Sequence, residues 1–380
     1  MNTRIPSFLS RPVALAAAAL ATALLAAGPA QAAHGVAATA GQADATPSSR
    51  PLPVVASFSI LADLVKQVGG DRVAVESLVK AGGDTHVFQP GPAQVRQLSS
   101  ASLVVVNGLG FEGWMPRLIG SSGYKGPVVE AARGLQAMKA TDDHHHHGDD
   151  ADDDDHDHDG PHGHDHDHDG PHGHDHDEDG PHGHSHADHD HDEASHGHHH
   201  HHHGGLDPHA WQDALNVRHY VANIAEGLCQ AAPADCGGFR ERARAYDQKL
   251  LALDQEIHQA VDATPTDRRR VMVSHAAFGY YGRAYHITFM APVGVSTEEE
   301  PSASVVANLI RQARQQNVQA FFFENNSDPR LLKRMASELK NVTIGELYAD
   351  SLSPANGPAA DYLSMMRYNT RVITQALSKK

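Results

Sequence analysis

The chain has 380 residues and a formal net charge of −17 at pH 7, but its acidic residues are concentrated in one stretch. Residues 142–203 contain 21 Asp or Glu and no Lys or Arg, so the rest of the chain carries a net charge of +4. A body this close to neutral has no basic stripe or face, which excludes nucleic acid as a partner.

Residues 1–33 have the pattern of a secretory signal peptide. Two arginines give a positive start, Val13 to Ala27 form an apolar run, and Ala30 to Ala32 offer small residues for cleavage. We therefore expect export to the periplasm, with cleavage near Ala32. A retained N-terminal anchor is the alternative, but the apolar run is short for a membrane span. No Cys follows the run, so we do not expect a lipid anchor.

After a flexible leader at 34–53, short apolar runs alternate with segments of helical period. This alternation predicts a mostly parallel sheet with helices on both faces. The predicted strands are 54–58, 73–79, 103–107 and 128–130, and the predicted helices between them are 60–68 and 92–99.

Residues 142–205 form a His- and Asp-rich loop with almost no apolar side chains, so we expect it to be disordered. It contains three copies of a ten-residue unit that starts with DGPHGH, at 159–168, 169–178 and 179–188. The unit is too short and too polar for a solenoid, and it indicates an expanded low-complexity loop.

The second half of the chain begins with a predicted helix at 216–228 and a longer one at 239–261, about 35 Å in length. A second alternating region follows. Its strands are predicted at 271–274, 287–291, 320–324 and 342–346, and its helices at 304–316, 329–339 and 361–377.

These patterns predict an α/β protein of two lobes, each with a mostly parallel sheet flanked by helices, joined by a long rigid helix. We place the N-terminal lobe at 54–235, the connecting helix at 236–264 and the C-terminal lobe at 265–380.

Cys229 and Cys236 are the two cysteines of the sequence. Because the predicted signal peptide sends them to an oxidising compartment, we expect a disulfide between them. Free thiols or two zinc ligands are the alternatives, although this spacing without a second pair fits zinc sites poorly.

Four candidate metal ligands follow predicted strands or the loop: His86, His209, His275 and Asp350. In doubly wound sheets, ligands bind beyond the carboxyl ends of the strands. Three imidazoles and a carboxylate form a suitable set for a borderline cation such as zinc. Each residue alone could equally cap or hydrogen-bond a strand end, so spacing leaves the assignment open.

The segments GDTHVFQP, VVVNGLGFEGW, DPHAW, SHAAFGYY and DSLSP, in this order around a long helix, resemble the zinc and manganese solute-binding proteins of ABC transporters, often called cluster A-I. The resemblance extends from Val54 nearly to the C-terminus. It implies that His86, His209 and His275 are the first three ligands and that Asp350 is the fourth, with water as the alternative.

The resemblance also bears on the choice of metal. Manganese members usually have Glu at the position of His275, so a histidine here favours zinc. Some zinc members use a Glu directly before the first His, where this chain has Thr85. This departure supports Asp350 as the fourth ligand.

The His- and Asp-rich loop is similar to the charged insertion of zinc-specific members. Its imidazoles and carboxylates can form many weak, exchangeable metal sites. A solvated spacer is the alternative. The accessory ligands we expect are His144, His145, His146, His147, His162, His164, His172, His174, His182, His184, His198, His199 and His200.

The expected function is a monomeric periplasmic receptor that binds Zn²⁺ between its lobes and delivers it to the membrane permease of an ABC transporter. A periplasmic zinc chaperone is a further expected partner. We expect no enzymatic activity. The alternatives are a manganese receptor, a zinc buffer or chaperone that acts through the loop, and a zinc hydrolase. Against a hydrolase, the sequence has no H-E-x-x-H motif, and no motif identifies Glu76 or Glu112 as a general base.

Overall fold

The computed structural model describes residues 50–140, 205–298 and 300–379. The predicted signal peptide, most of the predicted leader and the histidines of the His- and Asp-rich loop lie outside the described residues. Within the described part of the chain, no helix combines the length and apolar character that crossing a bilayer requires.

The N-terminal sheet has four parallel strands in the order β2-β1-β3-β4. These are β1 (Leu52–Phe58), β2 (Val73–Val79), β3 (Leu103–Val106) and β4 (Val128–Glu130). The helices between them are α1 (Ser59–Gly69), α2 (Pro92–Ser99) and α3 (Met115–Ser122). The central strands are nearly continuous apolar runs because helices cover the sheet on both faces. β1 begins two residues earlier than predicted.

Two long helices follow in sequence, α4 (Ala214–Ala231) and α5 (Cys236–Asp262). α5 has 27 residues and is about 40 Å long. It packs against α1 and α4 of the N-terminal half and, as described below, against the last helix of the chain. Its buried stripe recurs every three or four residues and comprises Phe239, Ala243, Tyr246, Leu250, Leu253, Ile257 and Val261.

The C-terminal sheet repeats the first, with four parallel strands in the order β6-β5-β7-β8. Its strands are β5 (Arg270–Val273), β6 (Thr288–Met290), β7 (Ala320–Glu324) and β8 (Thr343–Leu347). Its helices are α6 (Gly279–Tyr285), α7 (Ala303–Gln315), α8 (Arg330–Ser337) and α9 (Tyr362–Ser378). The predicted fold class is confirmed, and the residue boundaries drawn between the lobes stay predictions.

One continuous apolar core contains residues of both sheets, of α5 and of α9. α5 also carries Arg242, which donates from Nε to the Val68 carbonyl at 2.8 Å and from Nη2 to the Gly69 carbonyl at 2.9 Å. These bonds satisfy carbonyls at the C-terminus of α1. The long helix is therefore fixed along its length rather than being a free linker.

A short antiparallel neck holds together the two chain segments that lead into residues 141–204. Lys139 pairs with Leu206, and the Ala140 amide donates to the Gly205 carbonyl at 2.8 Å. The hydroxyl of Tyr280 on α6 accepts from the Met138 amide and donates to the Asp207 carbonyl. The chain therefore leaves the fold at Ala140 and returns at Gly205 beside it.

Cys229 near the end of α4 and Cys236 at the start of α5 form a disulfide, as predicted. It closes the tight connection between the two helices.

Replacing both cysteines by alanine should lower the free energy of unfolding by about 2 kcal/mol, because a short cross-linked loop restricts the unfolded chain. Urea unfolding of the oxidised protein and of the double variant measures the difference. The double variant should bind metal as the parent does, since none of the predicted ligands lies on α4 or α5. Equal stability of the two proteins would contradict this role for the disulfide.

Candidate metal centre

The fold brings all four predicted ligands together where the two sheets face each other. His86 lies in the irregular loop after β2, and His209 lies shortly before α4. His275 follows β5 by two residues, and Asp350 follows β8 by three. Parallel strands of one sheet end at the same edge, so residues far apart in sequence converge there. His209, His275 and Asp350 are fully buried, and the side chain of His86 is 5% exposed.

The distances in this cluster match those around a tetrahedral cation. His209 Nε2 lies 3.4 Å from Nε2 of both His86 and His275. The carboxylate of Asp350 lies 3.2 Å from His275 Nε2, 3.4 Å from His86 Nε2 and 3.5 Å from His209 Nε2. Bonds of 2.0–2.1 Å around a tetrahedral zinc ion separate its ligand atoms by about 3.3 Å. The four side chains therefore surround a space of the size that such an ion occupies.

Asp350 is the least satisfied group of the cluster. Apart from the three imidazole nitrogens at 3.2 to 3.5 Å, neither of its carboxylate oxygens has a hydrogen-bond partner among the described residues. Burial opposes its charge, but His275 and His209 outweigh burial and hold its pKa well below the usual range. A buried carboxylate without donors is costly unless a cation compensates it. A metal ion bound among the imidazoles would supply that compensation.

The two pKa shifts among the histidines have opposite signs. Burial lowers the pKa of His86 below its ordinary value. Burial also acts against charge on His275, but Glu324 and Asp350 outweigh it and raise its pKa well above the ordinary value. Because a metal binds neutral imidazole, a cation entering the cluster would displace the proton held by His275.

Two carboxylates orient the imidazoles from behind. Asp207 lies 2.8 Å from Nδ1 of His209, and Glu324 lies 2.6 Å from Nδ1 of His275. A proton held on Nδ1 by a carboxylate leaves Nε2 free to bind a metal and makes it a stronger donor. The sequence reasoning did not identify either role. The one local signal was an Asp two residues before His209.

Aromatic side chains enclose the cluster. Phe111 lies edge-on to His86, with ring centroids 4.8 Å apart, and the fully buried Trp211 lies 5.2 Å from His209. Trp114 is half-buried and donates from its indole nitrogen to the Thr85 carbonyl at 2.8 Å. These rings pack against the imidazoles, and Trp114 holds the loop that carries His86.

Glu112 is a buried carboxyl outside the cluster, and no sequence motif gives it a role. It accepts hydrogen bonds from the Ser57 hydroxyl at 2.5 Å and from the Asn107 amide at 2.7 Å, which ties the ends of β1 and β3 together. Burial outweighs these bonds and raises the pKa of Glu112 to about 7.

Within the described ranges, these four residues are the one group of at least three His, Cys, Asp or Glu side chains placed to hold a metal ion. The thirteen accessory histidines of the loop lie outside the described residues.

The family model of the zinc-uptake complex component A, a periplasmic protein, matches residues 54–376. The chain belongs to this family. The zinc-uptake component A family comprises metal-binding receptors of ABC transporters and not enzymes, which excludes the zinc hydrolase. Its members work outside the cytoplasm, with a metal ion as ligand and a membrane permease as partner.

Curated relatives of this family align along most of the chain. A metal ABC transporter substrate-binding lipoprotein of Streptococcus cristatus is 26% identical over 346 residues, which is 91% of this chain and 95% of the relative. A manganese-binding lipoprotein of Halalkalibacterium halodurans is 25% identical over 328 residues, which is 86% of this chain and 89% of the relative.

Solved structures share the fold. The periplasmic zinc binding protein TroA from Treponema pallidum superposes with a TM-score of 0.66 at 24% identity, covering 87% of this chain and 100% of its own. A manganese-bound periplasmic metal binding protein from Candidatus Liberibacter asiaticus gives 0.64 at 21% identity, covering 85% of this chain and 98% of its own. These matches support the two-lobed α/β architecture of the family.

Changing Glu324→Gln should weaken metal binding by about ten- to a hundredfold, because the neutral amide no longer strengthens His275 as a donor. Competition titration against a chelator measures the affinity. The exposed Glu338 on the same lobe provides the control Glu338→Gln, which should bind as the parent does. Equal affinities for all three proteins would show that Glu324 does not support His275.

Glu112 should make the folded state less stable as pH rises. Between its ordinary pKa of 4.5 and the folded value of about 7, the folded chain keeps a proton that the unfolded chain has lost. The free energy of unfolding should therefore fall through this window by up to about 3 kcal/mol and level off above it.

Urea unfolding between pH 4.5 and pH 8 in the presence of a chelator, with Glu112→Gln as the comparison, isolates this contribution. Other titrating groups are common to both proteins. The variant should show a shallower fall with pH than the parent, and superimposable profiles would refute the contribution of Glu112.

Proposed function

We propose that this protein is a high-affinity zinc receptor of an ABC-type uptake system. It holds one Zn²⁺ ion with His86, His209, His275 and Asp350 and delivers it to the membrane permease. The observation that carries the proposal is the buried cluster of three imidazole nitrogens and one carboxylate at tetrahedral spacing.

The donor set favours zinc. Zinc accepts imidazole nitrogen readily and tolerates four-coordinate geometry, whereas manganese prefers carboxylate, carbonyl and water oxygens. With His275 as the third ligand, nitrogen donors outnumber the carboxylate three to one. The solved neighbour from Treponema pallidum is itself described as zinc binding.

Manganese is the second candidate, and one feature of the site favours it. Asp350 directs one oxygen toward His86 and His275 and the other toward His209, so it can bind a cation through both oxygens. A fifth donor atom suits manganese better than a strict tetrahedron does. Several relatives also carry manganese in their names.

The loop at 142–205 acts in this proposal as an accessory metal collector. Its histidines and carboxylates bind zinc weakly. The loop ends at the neck formed by Ala140 and Gly205, four residues before His209. The receptor works as a monomer and can accept zinc from a periplasmic chaperone. The signal peptide at 1–33 accounts for its export.

Removing the loop separates the central site from the accessory sites. The neck permits residues 141–204 to be replaced by Asn-Gly, because the antiparallel Ala140 amide already donates to the Gly205 carbonyl, as it would across a two-residue turn. This shortened chain should bind one zinc ion tightly and prefer zinc to manganese, as measured by metal analysis and competition titration. A buffer acting through the loop would instead lose all binding.

In the shortened chain, His86→Ala, His209→Ala, His275→Ala and Asp350→Ala should each weaken zinc binding by about a hundredfold or more, since losing a group that merely orients a ligand already costs ten- to a hundredfold. The exposed His219 on α4 gives the control His219→Ala, which should leave binding unchanged. If His275→Ala kept tight stoichiometric zinc, the assigned site would be wrong. A preference for manganese would favour the second candidate.

A further inference from the structure

The loop that carries Asp350 belongs to the C-terminal half in sequence, but groups of the N-terminal half hydrogen-bond it on both sides of the carboxylate. On one side of Asp350, the Ala349 carbonyl accepts from Trp211 Nε1 and from Gln212 Nε2, each at 2.9 Å. On the other side, the Leu352 amide donates to the Ser59 hydroxyl at 3.0 Å. The backbone is thus held by groups outside its own sheet at one residue before and two residues after Asp350.

Two further observations show how directly this arrangement fixes the carboxylate. Gln212 follows His209 by three residues, so the bond to Ala349 links the segments of two clustered side chains. Within its own lobe, Tyr348 forms two hydrogen bonds with the Asn369 side chain. The Tyr348 amide donates to Oδ1 at 3.0 Å, and Nδ2 donates to the Tyr348 carbonyl at 2.7 Å. Between Ala349 and Leu352, the loop is therefore hydrogen-bonded by groups from across the cleft.

Among the residues that hold the Asp350 loop, Gln212 is the best one to test, because the fold does not require the hydrogen bond that its side chain donates. The Ala349 carbonyl already has a partner in Trp211. Gln212 is fully buried, and its Oε1 has no hydrogen-bond partner within the described part of the chain. A buried amide oxygen without a donor lowers stability, so an apolar residue here should be at least as stable.

We propose that Gln212 and Ser59 are positioning residues that hold Asp350 in the geometry required for the metal. The inference rests on the proposed function, in which Asp350 is a ligand. Two donors on the Ala349 carbonyl and one acceptor for the Leu352 amide restrict the rotation of the peptide segment between them. The Asp350 carboxylate then stays directed at the three imidazoles.

The test uses Gln212→Met in the shortened chain, because methionine has a similar volume and no polar atom that needs a partner. Zinc affinity should fall about tenfold or more, as it does when the support of a ligand is removed. The urea midpoint should stay the same or rise. The exposed Gln230 on α4 supplies the control Gln230→Met, which should change neither quantity.

A double-mutant cycle with Asp350→Ala separates positioning from a general structural effect. If Gln212 acts through Asp350, adding Gln212→Met to Asp350→Ala should cause no further loss of zinc affinity. The same loss in both backgrounds, or no loss in either, would overturn the proposal.

Ser59→Ala should follow the same pattern in the cycle, although it should also lower the urea midpoint because the Leu352 amide loses its acceptor. The parent chain distinguishes the two proposals. If it binds neither zinc nor manganese, the proposed function fails, whereas tight binding by the parent together with an unaffected Gln212→Met variant refutes the positioning role alone.

Discussion

The buried carboxylate of Asp350 is the group on which the arrangement of the site depends. It lies in the interior with its oxygens facing imidazole nitrogens, and among the described residues no other group donates a hydrogen bond to it. Such a group is tolerated because positive charge is available beside it, from protonated imidazole in the absence of metal and from a cation when one is bound. Glu324, behind His275, helps to raise the pKa of that imidazole, and Asp207 holds the His209 ring at Nδ1. The centre is therefore stabilised by exchange of a proton for a metal ion rather than by its own hydrogen bonds.

Much of the fold could be predicted from the sequence, because buried parallel strands are continuous apolar runs and the helices between them have a clear period. β2, β4, β7 and α2 have the predicted bounds. The sequence did not predict the short helices α3 and α6. α3 has eight residues that include one proline and one glycine, and α6 has seven residues rich in glycine and tyrosine, so neither shows a clear helical period. Tertiary contacts with the core decide their structure.

The site was predictable in part for a similar reason. His86, His209, His275 and Asp350 occupy positions that the ends of parallel strands bring together, and the family motifs named them. Asp207 and Glu324 were not predictable as supporting residues, because their function depends on the direction of an imidazole ring, which no spacing in one sequence reveals. Glu324 ends β7, which pairs with β5, the strand that precedes His275. Their proximity could be inferred only once the strand order is known. Gln212 and Ser59 depend on contacts between residues more than a hundred positions apart.

The connections across the cleft limit how the site can open. α5 packs on helices of both halves, the core is continuous, and the Asp350 loop is fastened to Trp211, Gln212 and Ser59. A wide hinge motion would have to break these contacts together, whereas small shifts of a loop break few. His86 lies in an irregular loop and is the most exposed of the four clustered side chains. Its loop is fastened too, because Thr297 donates to Asp84 and the Gly82 amide donates to the Ser351 hydroxyl, so opening the site through this loop requires breaking bonds to the C-terminal half.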